Sequence, residues 1–313
     1  MESKIRAALL GLAVGDALGV PYEFLSRYQL RQNPCTNMRG YGSHEQPPGT
    51  WSDDSALSFC LAEALSHTTF QLEEVARNFR DWLGVGYWSA HGRVFDIGMA
   101  TRQAIYRLAQ GVQPDLAGGF EEGSNGNGSL MRILPLLFYI HKLPIEERWL
   151  LTKQVSSITH AHVRSVIACF YYLEFTRFLL IGNTREEAYH LTAQVIRHFL
   201  LQKQINPVEV ALYKRLLEGN ISKLTEDEIK SSGYVVHTLE ASIWCLLNTN
   251  TYADAVMKAV NLGDDTDTTA AVTGGLAGLV YGESGIPQEW LTLLARKNDI
   301  EELCNKFAAT MHY

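Results

Sequence analysis

Two carboxylate clusters lie near opposite ends of the chain. Trp51-Ser52-Asp53-Asp54-Ser55 is one, and Gly263-Asp264-Asp265-Thr266-Asp267-Thr268-Thr269 is the other. Each runs straight into a long apolar, alanine-containing stretch. Clustered anions repel one another and are costly to desolvate, so a buried helix start tolerates them only with compensation. A hard dication shared by both clusters is strong compensation, because Asp, Ser and Thr oxygens are the ligands Mg2+, Mn2+ and Ca2+ prefer. Such a site would staple the ends of the chain together. Plain N-capping by Ser52 or Asp53 is the competing reading of the first cluster. In the second, capping explains one Asp or Thr but not three carboxylates in four residues. An EF-hand loop does not fit: counting from Asp265, position six is Ala270 rather than Gly and position twelve is Leu276 rather than Glu.

Other residue types suggest chemistry less sharply. Glu23 closes Gly15-Asp16-Ala17-Leu18-Gly19-Val20-Pro21-Tyr22-Glu23, an acid in an apolar, turn-forming setting or else a surface carboxylate. Asp16, among small residues, is expected to be buried and therefore hydrogen-bonded, where it can orient a ligand from behind. Gly123-Ser124-Asn125-Gly126-Asn127-Gly128 reads by itself as a flexible connection, or else as a glycine-rich loop entering an apolar helix, a junction whose free N–H groups suit phosphate. It lacks the Lys-Ser/Thr of a Walker loop and the βαβ surroundings of a dinucleotide fingerprint. His160-Ala161-His162 resembles a zinc pair, but two histidines at i,i+2 on a helix do not converge, so His162 reads as a capping or core residue. Tyr87 and Trp88 read as a wall for an aromatic ring or as core, while Tyr22 and Tyr234 stay unassigned.

Helical periodicity dominates the elements that must position these groups. Helices are expected over roughly 4–19, 54–66, 71–83, 96–110, 128–140, 145–157, 161–181, 185–203, 207–218, 225–231, 235–247, 251–261, 266–281, 287–294 and 299–310. Almost nothing alternates as strands do, so the fold is expected to be all-α, a compact orthogonal helical bundle forming one domain over residues 1–313. Irregular stretches at 25–53 and 111–128 are candidate functional loops. The 313 residues, 46% of them hydrophobic, supply a large core. The net charge of −7, with no massed Lys/Arg stripe, argues against a nucleic-acid coat. Five scattered cysteines with no C-x-x-C pair point to a reducing, cytoplasmic setting without a disulfide framework. Asp16 interrupts the first apolar segment, so neither a signal peptide nor a membrane association is expected.

The ordered set Gly15-Asp16-Ala17-Leu18-Gly19 with Glu23, Ser52-Asp53-Asp54, Gly126-Asn127-Gly128-Ser129-Leu130-Met131-Arg132, Thr159-His160 and Asp265-Thr266-Asp267-Thr268 resembles the ADP-ribosylglycohydrolase family across nearly the whole chain. The resemblance implies an all-α enzyme with two Mg2+ or Mn2+ ions in a cleft for ADP-ribose. It implies Ser52, Asp53, Asp54, Asp265, Asp267 and Thr268 as metal ligands, with Glu23 close to them. It implies Asn125, Gly126, Asn127, Gly128, Ser129 and His160 as contacts to the diphosphate, ribose or nucleotide, and Met131 and Arg132 as structural. Ser52 replaces a common Thr and keeps the hydroxyl. Asp264 replaces a common Gly, and this Gly-Asp-Asp form resembles the dinitrogenase reductase-activating branch, which removes ADP-ribose from arginine. Phe95-Asp96-Ile97-Gly98 points to the same branch, where that Asp is functional; capping of helix 96–110 is the alternative for Asp96.

The expected activity is therefore metal-dependent hydrolysis of the N-glycosidic bond between ADP-ribose and an arginine side chain of a modified protein, whose identity the sequence does not disclose. The metals would hold the ribose hydroxyls and a water, and Asp53, Asp54, Glu23 and Asp96 are the candidate catalytic carboxylates. Alternatives are an O-glycosidic hydrolase acting on ADP-ribosyl-serine or O-acetyl-ADP-ribose, a non-catalytic ADP-ribose binder, and an unrelated Ca2+-stabilised helical protein.

Overall fold

The computed structural model describes residues 1–67 and 69–311. Among them are sixteen α-helices, seven short 3-10 turns and no β-strand, only three isolated bridges. The fold is all-α, as the periodicity implies.

The centre of the fold is a contact between its two ends. Gly11, Gly15 and Gly19 recur every four residues, so they share one face of the helix Glu2–Gly19. That face meets Ala270, Gly274 and Gly278 of the helix Thr266–Tyr281 with almost no side chain between the backbones. A Cβ at Gly15 would come within 2.1 Å of the Ala270 carbonyl oxygen, and one at Gly19 within 2.4 Å of the Asp267 Cα. Only a missing side chain permits this approach. Thr266 Oγ1 then donates to the Gly19 carbonyl at 2.8 Å, which locks the N-terminus of the second helix against the C-terminus of the first. The first helix is apolar and long enough to cross a bilayer on composition alone, but it lies buried inside the fold. A single continuous apolar cluster surrounds this pair and reaches from Ile5 to Ala308. The five cysteines are free and buried.

Most expected helices are present, with three departures. Residues 128–140 form a helix only over Leu136–Ile140. Pro135 cannot donate to the Met131 carbonyl; 128–134 hold turns rather than a helix, and Ser58 Oγ approaches that carbonyl instead, at 3.5 Å. The stretch 207–218 splits into Pro207–Ala211 and Lys214–Leu217, and 225–231 holds only the 3-10 turn Glu226–Glu228. Conversely, 25–53 is not wholly irregular. It holds the helix Arg27–Gln32, started by a capping box of Ser26 and Gln29.

Candidate functional site

The N-terminus of the helix Asp53–Leu65 meets the N-terminus of Thr266–Tyr281 at the end of the glycine contact. Ser52 is the cap: its Oγ accepts from the Asp54 N–H at 3.3 Å and donates to Asp54 Oδ2 at 2.7 Å. Behind it, buried Asp16 accepts from the Ser52 N–H at 2.9 Å, the Ser55 N–H at 3.0 Å and Ser55 Oγ at 2.5 Å. Asp16 therefore fixes the turn that carries Asp53 and Asp54, the supporting role its setting implied. Across the junction, Thr268 Oγ1 donates to Asp54 Oδ2 at 3.4 Å, and Asp267 Oδ1 accepts from the Thr268 N–H at 2.9 Å. Asp265 is held by Asn127 Nδ2 at 2.8 Å, which also reaches Thr238 Oγ1 at 2.9 Å.

The result is a floor of converging carboxylates. Oxygens of Asp16, Asp54 and Asp267 lie within 4.8 Å of one another, as do those of Glu23, Asp265 and Asp267. Burial pushes Asp54 well above the usual carboxylate range, and the charges of Asp16 and Asp265 add to it. Asp267 rises for the same reason, with Glu23 and Asp54 contributing, and so does Asp53, with Asp96 and Asp54. Asp54 Oδ1 and Asp267 Oδ2 are buried and have no hydrogen-bond partner. Orphaned buried carboxylate oxygens are rare because each is costly. Here they sit beside two hydroxyls and further carboxylates, an all-oxygen donor set that fits a hard divalent cation rather than a soft one.

Above the floor opens a cavity of about 370 Å3, lined among others by Glu23, Asp53, Asp96, Gly126, His160 and Asp265. On one side Glu23 is pushed up to about 7 by burial, against the opposing pull of its hydrogen bond to His44. His44 Nε2 contacts Glu23 Oε2, and the histidine is raised by this partner. The imidazole sits between Phe24 and Phe95, with ring centroids 5.7 Å and 5.2 Å away. Ser43 Oγ adds a 2.5 Å bond to the Glu23 carbonyl. Oxygens of Glu23 and Asp96 and a ring nitrogen of His44 form a third group within 4.8 Å. On the other side, His160 reaches the cavity where Gly126 and Gly128 make room: a Cβ at Gly128 would lie 2.8 Å from its Cε1. Arg132 Nη2 donates to Thr159 Oγ1 at 2.8 Å, so the Thr159 hydroxyl proton is free to point at His160 Nδ1, 2.9 Å away. An arginine can only donate, so the Thr159 oxygen accepts there and keeps its own proton for the imidazole. It leaves His160 neutral with its proton on Nε2, toward the cavity. Burial drives its pKa down to about 3, in agreement.

Not every residue singled out from the sequence reaches this place. Asn125 and Ser129 do not line the cavity. Asn125 is spent on the Glu122 carbonyl at 2.8 Å and Ser165 Oγ at 3.1 Å, and Ser129 Oγ lies buried against Ser156 Oγ at 3.0 Å. Nor does a helix begin at Gly128, so helix-dipole support for an anion there is absent. A third helix start also lines the cavity, that of Met99–Ala109, capped by Gly98 without a side chain, so Asp96 is not its cap and instead joins the acidic cluster. Asp264 is exposed at φ +62° and contributes its backbone, pairing with Phe24 and Leu25 at 2.8 Å each. His162 caps Val163–Leu180 through Nδ1. Trp88 and Tyr87 bind Glu63 and form structure rather than a cavity wall. His44 was missed, because a lone histidine in a Gly- and Pro-containing stretch carries no periodic signal. Thr101, whose Oγ1 would lie 2.9 Å from a Cβ at Gly128, was missed because one Thr inside the helix expected over 96–110 carries no signal of its own.

The family model described as ADP-ribosylglycohydrolase matches residues 1–313, and the chain belongs to that family. It is 35% identical over 310 residues to the ADP-ribosylarginine hydrolase Tri1 of Serratia proteamaculans (strain 568), covering 97% of this chain and 78% of that one. It is 31% identical to the ADP-ribosyl-[dinitrogen reductase] glycohydrolase of Rhodospirillum rubrum, over 96% of this chain and 93% of that protein. A solved structure titled ADP-ribosylglycohydrolase-related protein complex superposes with a TM-score of 0.82 at 30% identity, covering 99% of this chain and 98% of that one.

Proposed function

We propose that this chain is a metal-dependent hydrolase that removes ADP-ribose from the arginine side chain of a modified protein by cleaving the N-glycosidic bond. The observation that carries the metal dependence is the pair of orphaned oxygens, Asp54 Oδ1 and Asp267 Oδ2, at the junction of two helix starts. The arginine linkage is supported by the relatives named ADP-ribosylarginine hydrolase and by Asp96 in the cavity wall. Ser52, Asp53, Asp54, Asp265, Asp267 and Thr268 would hold two Mg2+ or Mn2+ ions. Bound there, such ions supply Lewis acidity toward water and sugar hydroxyls.

The protein's own groups do the rest. His160 offers an Nε2–H donor, and the backbone at Gly126 and Gly128 allows ADP-ribose to approach closely. Glu23 is positioned to exchange a proton through a carboxylate oxygen, with His44 holding that carboxylate in place. Asp96, raised by burial, is a further proton carrier on the same wall. The guanidinium leaving group would meet Glu23 and Asp96, a pairing that carboxylates make well. Residues 1–313 act as one catalytic unit in this reading, and the compartment is the cytoplasm.

The test combines two measurements on wild type and Asp54→Ala. Mn2+ titrated under electron paramagnetic resonance should be captured by wild type and not by the variant. Turnover of an ADP-ribosyl-arginine protein should disappear with it. Turnover that survives the loss of Mn2+ capture would contradict the proposal.

A further inference from the structure

We infer that the cavity mouth carries a basic collar that receives the polypeptide on either side of the modified arginine, and that it selects acidic residues there. The inference rests on the arginine-linked reading above. The segment 91–97, which has no regular secondary structure, separates two open recesses of about 380 and 460 Å3. Both are lined by Arg93, Val94 and Phe95. The first is completed by residues 83–86 and Arg102, the second by His44, Gln46, Thr50 and His91. The first shares Ile97 with the catalytic cavity, and the second ends at His44, the partner of Glu23.

The charge pattern is the informative part. The chain carries −7 overall and its cavity is lined by Glu23, Asp53, Asp96 and Asp265, yet among the described residues no carboxylate lines either recess. Arg93 and Arg102 are exposed, and none of the ion pairs among the described residues involves them. Among the described residues the His91 side chain hydrogen-bonds Thr50 Oγ1, at 2.9 Å, and is in no ion pair, and it is also exposed. Large apolar side chains stand exposed on the same rim: Phe24 at 72%, Met99 at 75% and Val85 at 77%. Arg, Met and aromatic residues together are the composition of a protein-recognition surface. An acidic well inside a basic collar suits one ligand geometry. A cationic arginine enters the well, and acidic neighbours in its chain lie on the collar. Charge matching of this kind sets selectivity among partners more than maximal affinity.

Rates are to be measured on free ADP-ribosyl-arginine and on three ADP-ribosylated peptides, identical except for acidic, neutral or basic flanks. The acidic peptide should show a KM at least about tenfold below the basic one, a gap that shrinks in high salt. In Arg93→Glu/Arg102→Glu the preference should vanish or invert, while kcat/KM on free ADP-ribosyl-arginine stays within about twofold. Arg93→Ala and Arg102→Ala, milder surface changes, should each lose part of the preference if the double variant folds poorly. Equal KM values for the three peptides, or an unchanged preference in the variants, would overturn the collar. If neither free ADP-ribosyl-arginine nor any of the peptides is hydrolysed, the linkage reading falls instead. Peptide affinity measured by fluorescence anisotropy then decides the collar by the same acidic-over-basic criterion.

Discussion

The carboxylate floor and the cavity wall are built by opposite means. The floor consists of side chains, Asp16, Asp54 and Asp267, that are essentially inaccessible and fixed by one another and by two helix starts. The wall consists of turns, glycines and loops, and its working groups, Glu23, His44, Asp96 and His160, come from four unconnected segments. The floor is costly without a ligand, since its charges are desolvated and two of its oxygens are orphaned. The wall is largely satisfied as it stands. Ligand energy is therefore expected to go mainly into relieving the floor, while the wall sets what the ligand is.

That contrast can be broken. The largest effect is expected from Asp265→Ala or Asp53→Ala, each lowering kcat/KM by roughly a thousandfold or more in a steady-state assay. Asn125→Ala and Ser129→Ala should leave kcat/KM within about threefold, because neither side chain lines the cavity. If this off-site pair proves as damaging as Asp265 and Asp53, the placement of the site is wrong.

Next comes the contact that assembles the floor. Gly15→Val would drive a side chain into the Ala270 carbonyl and should cost about 3 kcal/mol in chemical denaturation. Gly84→Ala, at a helix position with open space around it, serves as the control and should change stability by well under about 1 kcal/mol. Similar values for the two would mean that the helix pair is not the keystone.

A smaller effect tests the wall. His44→Ala frees the Glu23 carboxylate and should lower kcat about tenfold while leaving Mn2+ capture intact. Loss of Mn2+ capture would move His44 into the floor.

The smallest effect is on pH dependence. Folded carboxylates raised above their unfolded pKa bind more protons than the unfolded chain, so stability falls as pH rises through the window between the two values. Asp53, Asp54 and Asp267 are raised, and Glu23 moves from 4.5 to about 7. His160, lowered to about 3 from 6.5, works in the opposite direction but only below 6.5. In EDTA the melting temperature should therefore drop between pH 6.5 and about pH 8, and added Mg2+ or Mn2+ should restore it, more strongly at the higher pH. A flat profile that ignores the ions would contradict the assignment of the floor.

How legible each region was follows from the same difference. Asp53-Asp54 and Asp265-Thr266-Asp267 stood out because burying such groups requires a reason, and residue type alone announces it. The all-α fold and the long helices followed from periodicity. The Gly11-Gly15-Gly19 face was visible as residues, but its role in joining the chain ends is a tertiary fact. Pro135 could have warned against a helix over 128–140; the apolar run Leu130–Ile140 hid the warning. Asp96 read equally well as a cap until the helix proved to start at Met99. His44 acquires meaning only when the turn at 42–44 brings it to Glu23. Family resemblance supplied Glu23 and His160, which the residues alone would have left as a surface acid and a core histidine.

The central claim is that this floor serves hydrolysis of an arginine-linked ADP-ribose. It is tested most directly by chromatographic release of free ADP-ribose from two proteins side by side, one carrying ADP-ribosyl-arginine and the other ADP-ribosyl-serine, each with Mg2+, Mn2+ or EDTA. Release from the arginine adduct that requires the metal, with none from serine, is the predicted result. Release from serine alone, or release that EDTA does not affect, would contradict it.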